Sequence, residues 1–263
     1  MISFPNAKIN LGLNIVEKRE DGFHNLETCF YPIPLFDSLE IIPSKEFKFQ
    51  SFGRKIPGKE EFNLCIKAFR LLQEDFNIPN VEILLVKNIP MGGGLGGGSS
   101  NGAFTLKMLN QLFDLNLDRE TLEKYALTLG SDCPFFIENK TSLAFGRGEI
   151  FKKTTLNLSG YTLAIANPNI HVSTKNAFDG IKAQFPAKSI KEIISHPPPE
   201  WKNDLVNDFE MTVLKQYPEI EAIKKEMYQK GAIYASMTGT GSTVYGIFDN
   251  QIDDLGWSTF KLR

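Results

Sequence analysis

The 263-residue chain is short of the residues from which disulfide scaffolds and metal centres are built. Its 3 cysteines, Cys29, Cys65 and Cys133, lie far apart with no C-x-x-C pair. That disfavours both a disulfide framework and a cysteine zinc site, and it fits a reducing compartment. Its 3 histidines, His24, His171 and His196, fall in no H-E-x-x-H spacing, which argues against a histidine-built metal centre. There is no run of about 18 apolar residues to span a bilayer, and the first residues hold no apolar stretch of signal-peptide length. An excess of one charge is missing too: 29 Lys and Arg against 31 Asp and Glu leave a net charge of −2. Without a basic field, nucleic acid and anionic membranes have no general attraction to the chain, although a local basic pocket stays open. The expectation is a soluble, cytoplasmic protein with small-molecule partners, no nucleic acid and no membrane. Nothing in the sequence reports on oligomeric state.

What is present is ordinary globular material. Hydrophobic residues make up 42% and charged residues 23%, so wholesale disorder is excluded, and the 21 Phe read first as core filler. The length suits one large domain or two small ones.

Ala7, Ile9, Leu11, Leu13 and Ile15 alternate with polar or small residues, which predicts a strand with one buried face and puts Lys8 and Asn10 together on the other. Glu17 to Asn25, with a central Asp-Gly, reads as a hairpin-like loop. Short strands are expected at 26–33, 39–42, 47–52 and 81–87, and a helix over 63–76. A glycine-saturated stretch then leads into a helix opened by Ser99 and Ser100. Asp118 should cap a further helix over 120–129 that Gly130 stops. Residues 141–156 read as a hairpin around Gly146-Arg147-Gly148. Beyond them come a strand at 161–166, a short helix capped by Ser173 and running to Phe178, and a rigid extended break at Pro197-Pro198-Pro199. A helix at 219–230 and two strands around Thr238 to Ser242 complete an α+β pattern in two lobes.

Six glycines within the seven positions Gly92–Gly98 would cost much folding entropy as a mere linker. Glycine is useful where backbone N–H groups must face a ligand too close for side chains. The helix N-terminus that follows brings free N–H groups and a positive dipole end, so strand, loop and helix form a cradle for a polyphosphate. A Walker A loop is excluded because Gly97 is followed by Gly98 and Ser99 where a lysine is required. The G-x-G-x-x-G match of Gly92, Gly94 and Gly97 carries little weight, because no acidic-ended second strand follows.

Other motifs stand in order along the chain: Ala7-Lys8-Ile9-Asn10-Leu11; Arg19-Glu20-Asp21-Gly22-Phe23-His24; Gly130-Ser131-Asp132 before Pro134-Phe135-Phe136; Gly146-Arg147-Gly148-Glu149; and Met237-Thr238-Gly239-Thr240-Gly241-Ser242. With the doubled glycine triplet they resemble the GHMP small-molecule kinases, the family of galactokinase, homoserine kinase and mevalonate kinase. Within it they are most similar to the branch acting on a cytidine-diphosphate sugar alcohol. The resemblance implies an α+β, two-lobed GHMP kinase fold. An N-terminal ATP-binding lobe like the second domain of ribosomal protein S5 would span 1–157, and a ferredoxin-like α+β lobe 158–263. The implied activity is ATP-dependent phosphorylation, with Mg²⁺, of the 2-hydroxyl of 4-diphosphocytidyl-2-C-methyl-D-erythritol in the non-mevalonate isoprenoid route. The alternative is another GHMP kinase of homoserine or mevalonate type. A nucleotide-binding regulator without catalysis is the reading of a different class.

The resemblance also implies roles. Asp132 would take the acceptor hydroxyl's proton and Lys8 would sit beside it; otherwise Asp132 is a turn residue and Lys8 a solvated strand lysine. Phe23 and Phe178 would stack on the cytosine and His24 would contact its edge, with Asn10 and Thr174 as polar contacts. The bland readings are a surface loop for His24 and an apolar helix face for Phe178. Asn63 and Lys87 would lie at the adenine and ribose end, although Lys87 fits a solvated strand end equally well. Pro90, Met91, Gly92, Gly93, Gly94, Leu95, Gly96, Gly97, Gly98, Ser99, Ser100 and Asn101 would form the phosphate loop. Gly239 would close the site or simply make a tight strand connection. No metal ligand is assigned. Three residues depart from the branch pattern: Phe23 for tyrosine, Cys133 for valine and Gly102 for alanine. Cys133 reads as small core filler, there being no partner histidine in its motif.

Overall fold

The computed structural model describes residues 1–249 and 256–262. The chain folds into two compact units that interleave along the sequence. The first comprises Met1–Lys8, Leu35–Met91 and Gly96–Lys140; the second comprises Ile9–Pro34, Gly92–Leu95 and the chain from Thr141 on.

The first unit carries β1 (Ile2–Ser3), β4 (Ser38–Pro43), β5 (Lys48–Gly53) and β6 (Val81–Lys87) in one sheet of order β1-β4-β6-β5. Only the β5–β6 pairing is parallel. In β6 the buried residues alternate as Val81, Ile83, Leu85 and Lys87, so period two turns a lysine into the core phase. Helices α1 (Leu64–Phe76), α2 (Gly97–Leu112), α3 (Arg119–Leu129) and α4 (Phe135–Glu138) complete the unit, with α2 packed on the other three and on β4. Asn63 caps α1 by accepting the Cys65 N–H at 2.9 Å, and Asp118 caps α3 through Thr121 N–H at 2.9 Å. At Gly102 a Cβ would lie 2.9 Å from Leu64 Cβ, so the glycine departing from the branch pattern lets α1 and α2 approach.

The second unit holds two sheets. One has the order β2-β3-β7-β8, from β2 (Asn6–Lys18), β3 (His24–Phe36), β7 (Ser142–Phe145) and β8 (Ile150–Lys153). The other is the antiparallel sheet β10-β11-β9-β12, from β9 (Thr162–Ala166), β10 (Tyr234–Met237), β11 (Val244–Phe248) and β12 (Ser258–Lys261). Helices α5 (Thr174–Phe178), α6 (Ile190–Ile193), α7 (Glu210–Gln216) and α8 (Pro218–Gln229) belong to it, and α8 covers β10 and β11. Leu13, Ile15, Ala164, Phe209, Ile220, Met227 and Phe248 form its core cluster.

Several expectations need correction. In β2 every residue from Asn6 to Ile15 is buried, so its alternation does not mark a solvent face. Helix α2 starts at Gly97, ahead of the two serines. Gly130 does stop α3 as expected, but with φ 166°, an extended conformation that needs no glycine. Ser173 stands at the N-cap of α5 but makes no side-chain cap bond. Only Pro197 is extended in the proline run, and Pro198–Glu200 winds into a 3₁₀ turn. The short helices α6 and α7 and the strand β12 gave too brief a period to be read from sequence.

Candidate active site

Lys8 Nζ lies 3.3 Å from Asp132 Oδ2. The lysine side chain is 3% exposed and the carboxylate 35%, so a buried cation holds an acid that stays open to solvent. The two arrive from opposite ends of the first unit's sequence. Lys8 ends the stretch of β2 that belongs to this unit, and Asp132 sits in the turn between α3 and α4, closed by Cys133 N–H to Gly130 O at 3.1 Å. The aliphatic stem of Lys8 runs against Gly96, where a Cβ would come within 3.1 Å of Lys8 Cγ and Cε. The ion pair therefore stands beside the start of the glycine-rich helix. Cys133, next in the chain, is fully buried, and that burial pushes its thiol up to about 12. It holds no thiolate at neutral pH and serves as core filler.

The glycine loop reads differently in three dimensions than in sequence. Gly92, Gly94 and Gly96 have φ of +65°, +78° and +68°, a left-handed conformation at alternate residues. Most of these glycines are also demanded by protein, not ligand. A Cβ on Gly94 would overlap the Thr238 carbonyl oxygen; on Gly93 it would lie 2.5 Å from Asn167 Nδ2 and Thr243 Oγ1; on Gly97, 2.8 Å from Lys87 Nζ. Gly98 alone of the six meets nothing within 4 Å. The first helical bond of α2 runs from Ser100 N–H to Gly96 O at 2.9 Å, which leaves Gly97, Gly98 and Ser99 as the donors of a helix start. Ser100 Oγ is buried without a hydrogen-bond partner.

Beside that helix start the first unit has a cavity of about 360 Å³, lined by Phe49, Ile56, Phe62, Asn63, Lys87, Met91, Gly98 and Asn101 among others. It has the mixed apolar wall and few polar groups of a small-ligand site. Lys87 is not the solvated lysine that a strand end allows: it is 2% exposed and paired with the buried Asp37. Burial pulls its ammonium below the ordinary lysine value, against which the Asp37 charge works.

In the second unit, His24 stacks on Phe178 with ring centroids 4.7 Å apart and planes 18° from parallel. Phe178 meets Phe209 edge-on at 4.8 Å. Phe23, 53% exposed, does not face Phe178; the Arg147 guanidinium lies over its ring at 4.6 Å. The imidazole of His24 is held below its ordinary value by burial and by nearby Lys18. The loop is stapled by Arg19 Nη2 to Asp21 at 2.8 Å, and Asp21 also accepts the Phe23 N–H at 3.1 Å. Asn10 is 3% exposed and already engaged: its N–H donates to Thr238 Oγ1 at 2.9 Å and its Nδ2 to Thr28 Oγ1 at 3.0 Å. Thr238 Oγ1 has Asn10 Oδ1 and the Gly94 carbonyl both at 3.2 Å. Gly239 sits against Gly94, with a Cβ there 3.2 Å from Gly94 Cα, and Thr174 is exposed at the first position of α5.

Residues 63–140 match the family model for the GHMP kinases N terminal domain, and 189–254 that for GHMP kinases C terminal. The chain is 56% identical over 252 residues to the 4-diphosphocytidyl-2-C-methyl-D-erythritol kinase of Bacteroides fragilis, covering 94% of this chain and 92% of that one. The chain belongs to the 4-diphosphocytidyl-2-C-methyl-D-erythritol kinases. A crystal structure of 4-(cytidine 5'-diphospho)-2C-methyl-D-erythritol kinase superposes with a TM-score of 0.82 at 31% identity, over 94% of this chain and 90% of the other. The mevalonate kinase of Methanococcus jannaschii matches at TM-score 0.65 and 16% identity over 94% and 90% of the two chains, a likeness of GHMP fold alone. As a 4-diphosphocytidyl-2-C-methyl-D-erythritol kinase the chain is an ATP-using phosphotransferase with an alcohol acceptor. Three residues escaped sequence reasoning: Asp37 as the partner of Lys87, Phe209 against Phe178, and Arg147 as the partner of Phe23. A signal existed for the first, since Lys87 falls in phase with Val81, Ile83 and Leu85 and an inward lysine needs a buried acid.

Proposed function

We propose that the chain transfers the γ-phosphoryl group of ATP to the 2-hydroxyl of 4-diphosphocytidyl-2-C-methyl-D-erythritol, in the non-mevalonate route to isoprenoid precursors. The observation that carries the mechanism is the Lys8–Asp132 ion pair lying against Gly96 of the glycine loop. Phosphoryl transfer asks a protein for position, charge neutralisation and an activated hydroxyl, and for little covalent chemistry. Asp132 orients the acceptor hydroxyl and takes its proton as the oxygen attacks phosphorus. Lys8, with almost no access to water, pairs with the Asp132 carboxylate and offsets charge on the moving phosphoryl group. Pro90 to Asn101 hold the polyphosphate through the amides of the loop and the positive end of α2. Asn63 and Lys87 serve the adenosine end in the 360 Å³ cavity. Phe178, His24 and Phe23 hold the cytosine, with Asn10 and Thr174 as polar contacts, and Gly239 packs the loop.

Magnesium enters with the nucleotide. Mg²⁺ takes oxygen ligands and keeps several of its waters, and among the described residues no group of His, Cys, Asp and Glu is arranged to hold a metal. The unpartnered Ser100 Oγ, in the first turn of the phosphate helix, is an oxygen donor of the right kind. When bound, the ion would neutralise charge on the phosphates.

The two family matches fall on either side of residue 157, which supports a division of the sequence into 1–157 and 158–263. Among the described residues no helix is long and apolar enough to cross a membrane. A cytoplasmic enzyme of small molecules agrees with the balanced charge. The test is ATP consumption with the cytidine-diphosphate methylerythritol compound, mevalonate and homoserine in parallel. Turnover confined to the first is expected, and turnover with either of the others alone would replace this reading with a different kinase of the family.

A further inference from the structure

Asp37 is the single residue between β3 and β4, 1% exposed, and its carboxylate serves four donors. One oxygen accepts the N–H groups of Asn88 at 2.7 Å and Ile89 at 2.8 Å, the two residues that lead from β6 toward the glycine loop. The other accepts Asn101 Nδ2 at 2.9 Å, on the second turn of α2, and the Lys87 ammonium. Its own N–H is anchored to the Pro5 carbonyl at 2.9 Å. Both sides of the glycine loop, the strand exit and the helix, are thus tied to one carboxylate. Asp37 does not line the 360 Å³ cavity, but Lys87 and Asn101 both do. Lys87 Nζ is also close enough to α2 that a Cβ on Gly97 would lie 2.8 Å from it.

A fully desolvated ion pair is a weak stabiliser and is often replaced by apolar residues at no loss. Its geometry here has a different use. Two of the four donors to the Asp37 carboxylate, Lys87 and Asn101, line the cavity, and the other two, Asn88 and Ile89, lead from β6 toward the glycine loop. We infer that Asp37 is a positioning residue for nucleotide binding, fixing Lys87, Asn101 and the loop entrance as one unit without touching the nucleotide. This rests on the proposed assignment of that cavity to ATP. Nothing in it depends on which alcohol is phosphorylated.

The test is Asp37→Asn, which keeps shape and loses the charge and two acceptor positions. The dissociation constant of a β,γ-imido ATP analogue, read by calorimetry with Mg²⁺ and no acceptor, is expected to rise tenfold or more. The KM for ATP should follow it, and the KM for the cytidine acceptor should stay within twofold. Nucleotide affinity within twofold of wild type in the folded variant would overturn the inference, whatever happens to its melting temperature. An equal rise in both KM values would also overturn it, since a general loosening has no reason to select the nucleotide. Should Asp37→Asn not fold, Asp37→Glu keeps the ion pair and displaces the carboxylate by one methylene. A fivefold rise in the analogue's dissociation constant is then expected, and a change below twofold refutes positioning. The function reading fails separately: wild-type protein that binds the analogue and ignores the cytidine compound would sink that reading and leave this one standing.

Discussion

Lys8 and Asp132 lie 124 positions apart in the chain and 3.3 Å apart in space, with the lysine buried and the carboxylate half open. That asymmetry suits a proton acceptor that must meet a substrate and a cation that must not be screened by water. Asp132→Asn removes the proposed base and keeps the shape. Turnover is expected to fall roughly a hundredfold or more, the usual worth of general base catalysis, with nucleotide affinity unchanged. Undiminished kcat in steady-state assays would take Asp132 out of the mechanism.

Phe178 carries two ring contacts, so truncation and loss of stacking must be separated. Phe178→Leu retains an apolar body against Phe209 and removes the aromatic face. Base–aromatic stacking is worth about 1–3 kcal/mol, so the acceptor KM should rise roughly tenfold with the ATP KM unmoved. Equal shifts in both constants would remove Phe178 from the cytosine site.

The His24 ring titrates below the imidazole value of about 6.5 that it has in the unfolded chain. Between the two values the unfolded chain holds the extra proton. The stability that the neutral ring contributes is therefore fully present above about pH 6.5 and lost as pH falls through the folded value. The acceptor KM should be flat from pH 7 upward and climb on acidification below that window. His24→Gln should flatten the profile; an unchanged inflection would assign it to another group.

Two glycines of the loop should part company. Gly94 has φ +78° and the Thr238 carbonyl where a Cβ would stand. Gly94→Ala combines a left-handed cost of about 1–2 kcal/mol with a steric overlap and should sharply lower the melting temperature. Gly98 lies inside α2 and lines the cavity, with nothing of the protein within 4 Å of a Cβ. Gly98→Ala gains up to about 1 kcal/mol of helix propensity, so it should melt no lower than wild type while its ATP KM rises. Thermal scans and ATP titrations of the pair decide the matter; matching behaviour would mean that the cavity does not receive the nucleotide.

Chelation of divalent ions should abolish turnover, and added Mg²⁺ should restore it. Ser100→Ala should raise the Mg²⁺ concentration needed for half-maximal rate and leave the melting temperature nearly unchanged, because the hydroxyl has no protein partner to lose. An unaltered Mg²⁺ dependence would leave the ion to the nucleotide alone.

Much of this molecule was written locally. The strands 81–87 and 162–166, the helix after Asn63 and the Asp118 cap follow from periodicity and capping over a few residues, and the ordered motifs identify the kinase family. Folding decided what those local signals could not. The alternation of β2 promised one wet face, but packing buried both, so Lys8, expected beside Asp132 from the family resemblance, meets it as a desolvated partner. The glycine triplets announced a phosphate loop, yet the close neighbours of Gly93 and Gly94 are Thr243, Asn167 and Thr238, residues far along the chain. Lys87 stood open between the adenosine end and a solvated strand end, and its burial against Asp37, from another segment of the same unit, excludes the second. The physical reason is one of range. Backbone preference and hydrophobic period act over a few residues, whereas the burial that sets a charge's partner and a glycine's necessity depends on segments brought together only when the chain folds.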